Sequence, residues 1–282
     1  MSIPLNLGAA RPLFRPHLVA ADLDGTLLPA DFVLPPAVVA GVAELRQAGV
    51  SVVVTTGRMF QSARRVAAEL GLTDGPIICY QGAVIADLGS GEWLFHKPLP
   101  SDLAAEVVRT VHGLGRHVNV FIDDRCHVAA LNEWARLYMQ TAKVDCTVDD
   151  DLVPLVLAQA PTKIVVATSA DDVERLLPEL QRRWQGTLYV TRSQPQYIEI
   201  SHVEATKSRA LVSICERFGV RRERVAACGD GLNDIDMLQW AGLGVAVAEA
   251  EPAVLRAADL VVPRADLGKL FGALARAPRD RV

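Results

Sequence analysis

Apolar runs and amphipathic stretches alternate through both ends of the chain. The run Leu18 to Ala21 in "HLVAAD" reads as a buried strand, and the amphipathic segment from Pro36 to Gln47, stopped by Gly49, reads as a helix. "VSVVVTT" is a second continuous apolar strand. A helix from about Phe60 to Leu70 follows and stops at Gly71, and "PIICYQGAVI" reads as a third buried strand. The pattern resumes late, with a helix over Lys207 to Phe218 before Gly219, a strand "RVAAC", a helix over Asp234 to Ala241, and strands "GVAV" and "DLVV". A strand, helix, strand order implies parallel pairing, and continuous apolar strands imply a sheet covered on both faces. Residues 1–85 and 192–282 are therefore expected to form one α/β core, a doubly wound, Rossmann-like parallel sheet.

The middle of the chain has a different rhythm. Residues 86–191 give short alternating strands such as "EWLFHK", "VNVFID" and "HVAAL", with helices near Ser101 to Leu114 and Asp172 to Trp184. This segment is expected to be an inserted α+β module.

Composition narrows the class of partner. The 282 residues are half apolar and carry a formal charge of -4, so a substantial core can form and no basic footprint for nucleic acid or a membrane surface is present. No uncharged apolar run of about 18 residues occurs, and "MSIPLNLGAARPLF" lacks the charge and apolar core of a signal peptide. A cytoplasmic protein, monomer or homodimer, acting on a small molecule is the expectation. The five cysteines are odd in number with no CxxC spacing, and the histidines have no ligand-type spacing.

The candidate chemistry lies where strands end. The first strand runs into Asp22 and Asp24, followed by Gly25 and Thr26; the second ends in Thr56, Gly57 and Arg58; the late strand ends in "GDGLND", with Asp230, Asn233 and Asp234. In an open parallel sheet, ligands bind outside the carboxyl ends of the strands, so these groups are expected to converge there. Carboxylates so gathered repel one another unless a cation neutralises them. Mg²⁺ suits an all-oxygen set that keeps room for water and a phosphate. Lys207 opens a helix, where the macrodipole disfavours a cation, so a nearby anion is expected to hold it. A phosphoryl group held by Lys207, the Thr56 hydroxyl and the loop amides around Gly25 and Gly57 would serve, as would the carboxylate cluster.

"DLDGTLL", "TTGR", "EATKSRAL" and "GDGLNDIDML", in this order, resemble the haloacid dehalogenase superfamily of phosphatases, specifically the Cof-type group with a large α/β cap. "IICYQGAVIAD" and "AGLGVAVAEAEPAVLRAADLVV" also fall where that family has corresponding segments. The resemblance implies Asp22 as nucleophile through an aspartyl phosphate and Asp24 as general acid and base. It implies Thr56 and Lys207 on the phosphoryl oxygens, and Asp22, the Asp24 carbonyl and Asp230 on Mg²⁺, with support from Asp234 and Asn233. Gly25, Gly57, Arg58, Gln81, Gly82 and Asn233 are then the phosphate and substrate contacts, and the insert is the substrate-selecting cap, in which Arg125, His127, Tyr138 and Lys143 are candidate contacts. Two segments depart from the family pattern: Gln81 stands before Gly82 where Asn is common, and "AEA", Ala248 to Ala250, replaces Gly-Asn-Ala. The implied activity is hydrolysis of small phosphate monoesters, sugar phosphates among them. Transfer of the phosphoryl group to a second hydroxyl, and non-catalytic binding of a phosphometabolite, use the same residues. A receiver domain would be about half as long and lack the insert.

Overall fold

The computed structural model of the protein describes residues 13–279. An eight-stranded sheet has the spatial order Leu260–Val262, Leu243–Val247, Val225–Gly229, Leu18–Asp22, Ser51–Thr55, Pro76–Cys79, Val84–Asp87, Trp93–His96. The first six of these strands pair in parallel and the last two antiparallel. From the central strand Leu18–Asp22 the chain winds first to one side and, after the insert, to the other, so the strand order reverses between Leu18–Asp22 and Val225–Gly229. That reversal opens a crevice at the carboxyl ends of these two strands.

Side-chain alternation decides which helix meets which face. Leu18 and Ala20 pack with Ala210, Leu211 and Ile214 of the helix Lys207–Phe218. Val19 and Ala21 belong to the opposite layer, with Val38, Val42 and Leu45 of the helix Pro36–Gln47 and Leu270, Phe271 and Leu274 of the helix Leu267–Arg276. Because side chains repeat every second residue along a strand, Asp22 shares the face of Leu18 and Ala20 and is aimed at the start of the Lys207 helix.

A six-stranded sheet has the order Leu188–Gln194, Tyr197–His202, Lys163–Ala167, His117–Ile122, Arg125–Val128, Cys146–Val148 and is antiparallel except for its last pair. One face carries Val118, Val120, Ile122, Ile164, Val166, Ile198 and Ile200 and is covered by the helices Ser101–Gly113, Leu152–Ala158 and Ala170–Arg183. The other face carries Phe121, Val165 and Tyr197, which join the layer of the first sheet through Tyr80.

Three expectations change. The two sheets meet in sequence about ten residues later than the boundaries 85/86 and 191/192 imply: Trp93–His96 joins the first sheet by pairing with Val84–Asp87, whereas Leu188–Gln194 and Tyr197–His202 join the second. "PIICYQGAVI" is not one strand. It folds into the antiparallel pair Pro76–Cys79 and Val84–Asp87 because Tyr80, Gln81 and Gly82 all take positive φ, at 53°, 59° and 101°. The helices Glu133–Ala142 and Leu152–Ala158, capped by the Asn132 and Asp151 side chains, add to the two helices expected in the insert. Among the described residues no helix is long and apolar enough to cross a membrane.

The two sheets are interlocked by a helix cap supplied from a distance. The helix Phe60–Glu69 has no side-chain cap of its own at Met59. Asp124, in the turn between His117–Ile122 and Arg125–Val128, accepts hydrogen bonds from the Phe60 and Gln61 amides at 2.8 Å each and from the Tyr80 hydroxyl at 2.7 Å. A carboxylate at a helix N-terminus satisfies amides that otherwise lack partners and matches the macrodipole. Asp124→Ala is expected to destabilise the protein by roughly 2–3 kcal/mol, the combined cost of a lost cap and a stranded buried hydroxyl. Equilibrium denaturation measures this, and a change below about 0.5 kcal/mol, the range of ordinary surface substitutions, would contradict the interlock.

Candidate active site at the strand ends

Asp22 closes the central strand and is 5% exposed. Lys207, 1% exposed, donates a hydrogen bond from Nζ to Asp22 Oδ1 and a second, at 2.6 Å, to Asp234 Oδ1. The expected anion beside this helix-start lysine is therefore a pair of carboxylates. Burial disfavours the Lys207 ammonium, but Asp22 and Asp234 outweigh it and raise the lysine above its ordinary range. Asp22 is raised well above the usual carboxylate range, first by burial and then by Asp234, Asp230 and Asp24, against the pull of Lys207.

Asp234 organises the loop. Its Oδ2 accepts from the Asp230 amide at 3.0 Å and the Gly231 amide at 2.9 Å, so its second oxygen pins the turn after the strand Val225–Gly229. Asp230 accepts from the Thr26 hydroxyl at 2.6 Å and is pushed up to about 6, mainly by burial and then by Asp234. Gly25, at φ 89°, lets Asp230 approach: a Cβ there would collide with the Asp230 carboxylate. The Gly25 carbonyl accepts from Arg264 Nε at 2.6 Å.

Asp22, Asp230 and Asp234 can each offer one oxygen within 4.8 Å of the others, a group able to hold a metal ion. The all-oxygen donor set fits Mg²⁺. The Asp24 side chain points elsewhere. It is gripped by a guanidinium fork, Arg58 Nε to Oδ2 at 2.8 Å and Nη2 to Oδ1 at 2.5 Å, and Arg58 also lies 5.8 Å from the Phe32 ring centroid. The paired aspartates at i and i+2 thus have separate partners, which neither their identity nor their spacing reveals.

Most of the expected residues line one cavity: Asp22, Asp24, Gly57, Arg58, Gln81, Asn233, Asp230 and Asp234. Thr56 does not line it; it is fully buried, and its hydroxyl accepts the Arg58 amide at 3.1 Å. Gly82 stands behind the site, where a Cβ would collide with the Thr206 carbonyl and come 3.1 Å from the Lys207 amide nitrogen. Gln81 takes the place of the common Asn with its side chain turned in, its Oε1 accepting from Asn233 Nδ2 at 2.9 Å.

The roof of the cavity comes from the second sheet. Tyr138 lines it as expected, together with Lys163, Ser193, Tyr197 and Glu199. Arg125, His127 and Lys143 do not; His127 pairs with Asp149 instead. Lys163 and Glu199 escaped the sequence reading although Lys163 opens and Glu199 interrupts an apolar strand, "KIVVA" and "YIEIS". A charge within an alternating strand is the signal that could have found them.

Comparison with known proteins agrees with this geometry. The sequence profile of haloacid dehalogenase-like hydrolases matches residues 19–268. The chain is 29% identical over 258 residues to the 5-amino-6-(5-phospho-D-ribitylamino)uracil phosphatase YitU of Bacillus subtilis (strain 168), covering 87% of this chain and 91% of that one. It is 28% identical over 270 residues to the pyridoxal phosphate phosphatase YbhA of Escherichia coli (strain K12), covering 87% and 93%. The crystal structure of TM0651 from Thermotoga maritima superposes with a TM-score of 0.80 at 28% identity, over 95% of this chain and 99% of that one. A carboxylate-rich crevice at the switch point of a doubly wound sheet, roofed by a second sheet, thus accompanies a profile match over most of the sequence, and the chain belongs to the family of haloacid dehalogenase-like hydrolases.

Proposed function

We propose that the protein is a Mg²⁺-dependent phosphatase of small phosphorylated metabolites that works through a phosphoryl group carried on Asp22. The observation that carries this reading is the buried Asp22 carboxylate at the switch point, flanked by Lys207 and followed two residues later by a second carboxylate with a different partner. The names of its relatives, phosphatases of a ribitylaminouracil phosphate and of pyridoxal phosphate, support the substrate class.

In the first step an Asp22 oxygen attacks phosphorus and the ester P–O bond breaks, with Asp24 giving its proton to the leaving oxygen. In the second, water attacks the aspartyl phosphate, Asp24 takes the water proton, and the Asp22–phosphorus bond breaks to release phosphate. Arg58 holds Asp24 by both of its oxygens; a phosphoryl dianion competing for the guanidinium would release Asp24 to carry its proton. Lys207 positions Asp22 through its hydrogen bond and would balance the charge of a phosphoryl group carried there. A Mg²⁺ ion held by Asp22, Asp230 and the Asp24 carbonyl, with Asp234 beside it, would supply charge neutralisation when bound. The roof residues exclude bulk water from the reacting atoms.

Purified protein with Mg²⁺ is expected to release inorganic phosphate from small monoesters. Asp22→Asn should abolish release while leaving the melting temperature within a few degrees, because an amide cannot accept the phosphoryl group. Phosphate release by that variant, or full turnover in excess EDTA, would refute the reading.

The raised Asp230 sets a second expectation, for protein stripped of metal. Its folded pKa of about 6 lies above the unfolded value, so the folded state binds more protons between these two values and stability falls as pH rises through that window. Above it the penalty is complete, on the order of 3 kcal/mol for a shift of this size. Asp230→Asn should therefore stabilise the EDTA-treated protein at pH 7, and the gain should vanish below about pH 4, the ordinary Asp range. Urea denaturation across pH 3.5 to 7.5 reads this; a variant less stable than the parent at pH 7 would contradict it.

A further inference from the structure

Two of the five cysteines are neighbours in the second sheet. Cys126 and Cys146 are direct register partners in the parallel pair Arg125–Val128 and Cys146–Val148, so their side chains leave the same face. Neighbouring strands run about 4.8 Å apart, inside the Cα separation that a disulfide spans. Both are free thiols; Cys126 is 1% exposed and Cys146 is half-buried. The strand Cys146–Val148 is an edge of its sheet, held by a neighbour on one side only, so this half of the pair has room to adjust.

The two thiols differ in character. A hydrogen bond from Cys126 holds the Cys146 thiol below its ordinary range, and the same bond, with burial after it, pushes Cys126 up. The other three cysteines are buried and inert: burial pushes Cys79 up, Cys215 to about 11 and Cys228 to about 12. Cys146 thus joins solvent access to thiolate character, and the residue beside it in register is a second thiol.

The pair lies under the cavity wall. The chain crosses from Cys126 to Cys146 through the helix Glu133–Ala142, whose Tyr138, Thr141 and Ala142 line the cavity. Tyr138, Cys126 and Cys146 share one apolar layer with Phe121, whose ring centroid is 5.4 Å from that of Tyr138, and both thiols act electrostatically on the Tyr138 hydroxyl. The end of this helix is tied to the first sheet's helix Phe60–Glu69: Ser62 Oγ donates to the Ala142 carbonyl at 2.8 Å and Arg65 to the Lys143 carbonyl at 2.6 Å. A bond between the two sulfurs would close the crossover into a ring beneath Tyr138.

We propose that Cys126 and Cys146 form a reversible redox pair, oxidised by a hydroperoxide to a disulfide that locks the wall helix Glu133–Ala142 and slows turnover at the cavity. With hydrogen peroxide, the Cys146 thiolate attacks one oxygen, the S–O bond forms, the O–O bond breaks, and the departing hydroxide takes a proton to leave as water. The Cys126 sulfur then gives up its proton and attacks the Cys146 sulfenic acid; the S–S bond forms, the S–O bond breaks, and a second water leaves. Two electrons pass from the sulfurs to the peroxide. A small thiol reverses the change by attacking the accessible Cys146 sulfur. The effect on turnover rests on the phosphatase reading, whereas the disulfide and the locked helix do not.

Reduced native protein treated with a modest excess of hydrogen peroxide and digested without reductant should yield a peptide linking Cys126 to Cys146, lighter by two hydrogens than its reduced halves. Cys79, Cys215 and Cys228 should remain thiols. The linked protein should show slower hydrogen exchange at the amides of Glu133–Ala142 and roughly tenfold lower kcat/KM on a small phosphate monoester, the scale of a slight misplacement at the site, and dithiothreitol should restore both. Cys146→Ser should match the reduced parent in exchange and turnover and lose every response to peroxide. Cys126→Ala should stop at the sulfenic acid, captured by dimedone on the Cys146 peptide. Absence of the linked peptide, a link through another cysteine, or a link that leaves exchange in the helix unchanged overturns the pair. If the link and the slowed exchange form but the reduced protein releases no phosphate, the phosphatase reading fails and the redox pair stands; a linked protein that turns over as fast as the reduced one overturns the control of turnover.

Discussion

The ammonium of Lys207 is enclosed by protein and touches two carboxylates, Asp22 and Asp234. Burying an unpaired charge costs several kcal/mol, so neither the lysine nor its partners can be placed independently. The consequence spreads through the fold. Asp22 ends the central strand, Lys207 starts the helix packed on that strand's own face, and Asp234 ties the amides of the loop after the neighbouring strand. Three segments far apart in sequence are thereby held to one geometry. Burial raises both Asp22 and Asp230, and the surrounding aspartates that one lysine does not balance add to it, so the site suits a cation.

The second sheet is built on the same logic with the opposite emphasis. Its helix-covered face is apolar without exception among Val118, Val120, Ile122, Ile164, Val166, Ile198 and Ile200, whereas the face toward the crevice admits Asn119, Lys163 and Glu199 among Phe121, Val165 and Tyr197. Those polar groups are tolerated because each meets the first sheet or its own neighbours: Lys163 reaches the Gly57 carbonyl, Glu199 meets Ser193 and Lys163, and Asn119 meets the His117 ring, while Asp124 in the adjoining turn caps the helix Phe60–Glu69. The roof is therefore attached to the floor by directional bonds around the cavity, and apolar packing through Tyr80 fills the remainder.

Much of this was legible in the chain itself. Continuous apolar strands alternating with amphipathic helices specify a covered parallel sheet whatever the tertiary details, since period and burial are local properties. The carboxylates at the ends of "HLVAAD" and "RVAACGD" are likewise placed by strand termination alone, and a lysine at a helix start advertises an anion. So the convergence of Asp22, Asp230, Asp234 and Lys207 is legible in the chain itself. The middle of the chain was less legible because its short strands alternate, and a short alternating run does not say which sheet it joins; hence "EWLFHK" went to the wrong sheet and "YIEIS" was not assigned to the second.

Partnership was decided only by the tertiary structure. Nothing in "DLDGT" distinguishes an aspartate held by a lysine from one held by an arginine, yet Asp22 pairs with Lys207 and Asp24 with Arg58. The turn at Tyr80 to Gly82 reads as part of a strand because two of its three residues are not glycine; only contact with Asp124 and Asn233 makes positive φ there worth its strain. Lys163 and Glu199 are expensive inside an apolar sheet until the opposite sheet supplies the Gly57 carbonyl. The sequence by itself determined which residues are strand, helix and strand end, because those follow from local periodicity and propensity. Which charges meet, and across which sheet, depended on long-range closure, because hydrogen-bond partners 34 to 185 residues apart in sequence leave no local trace.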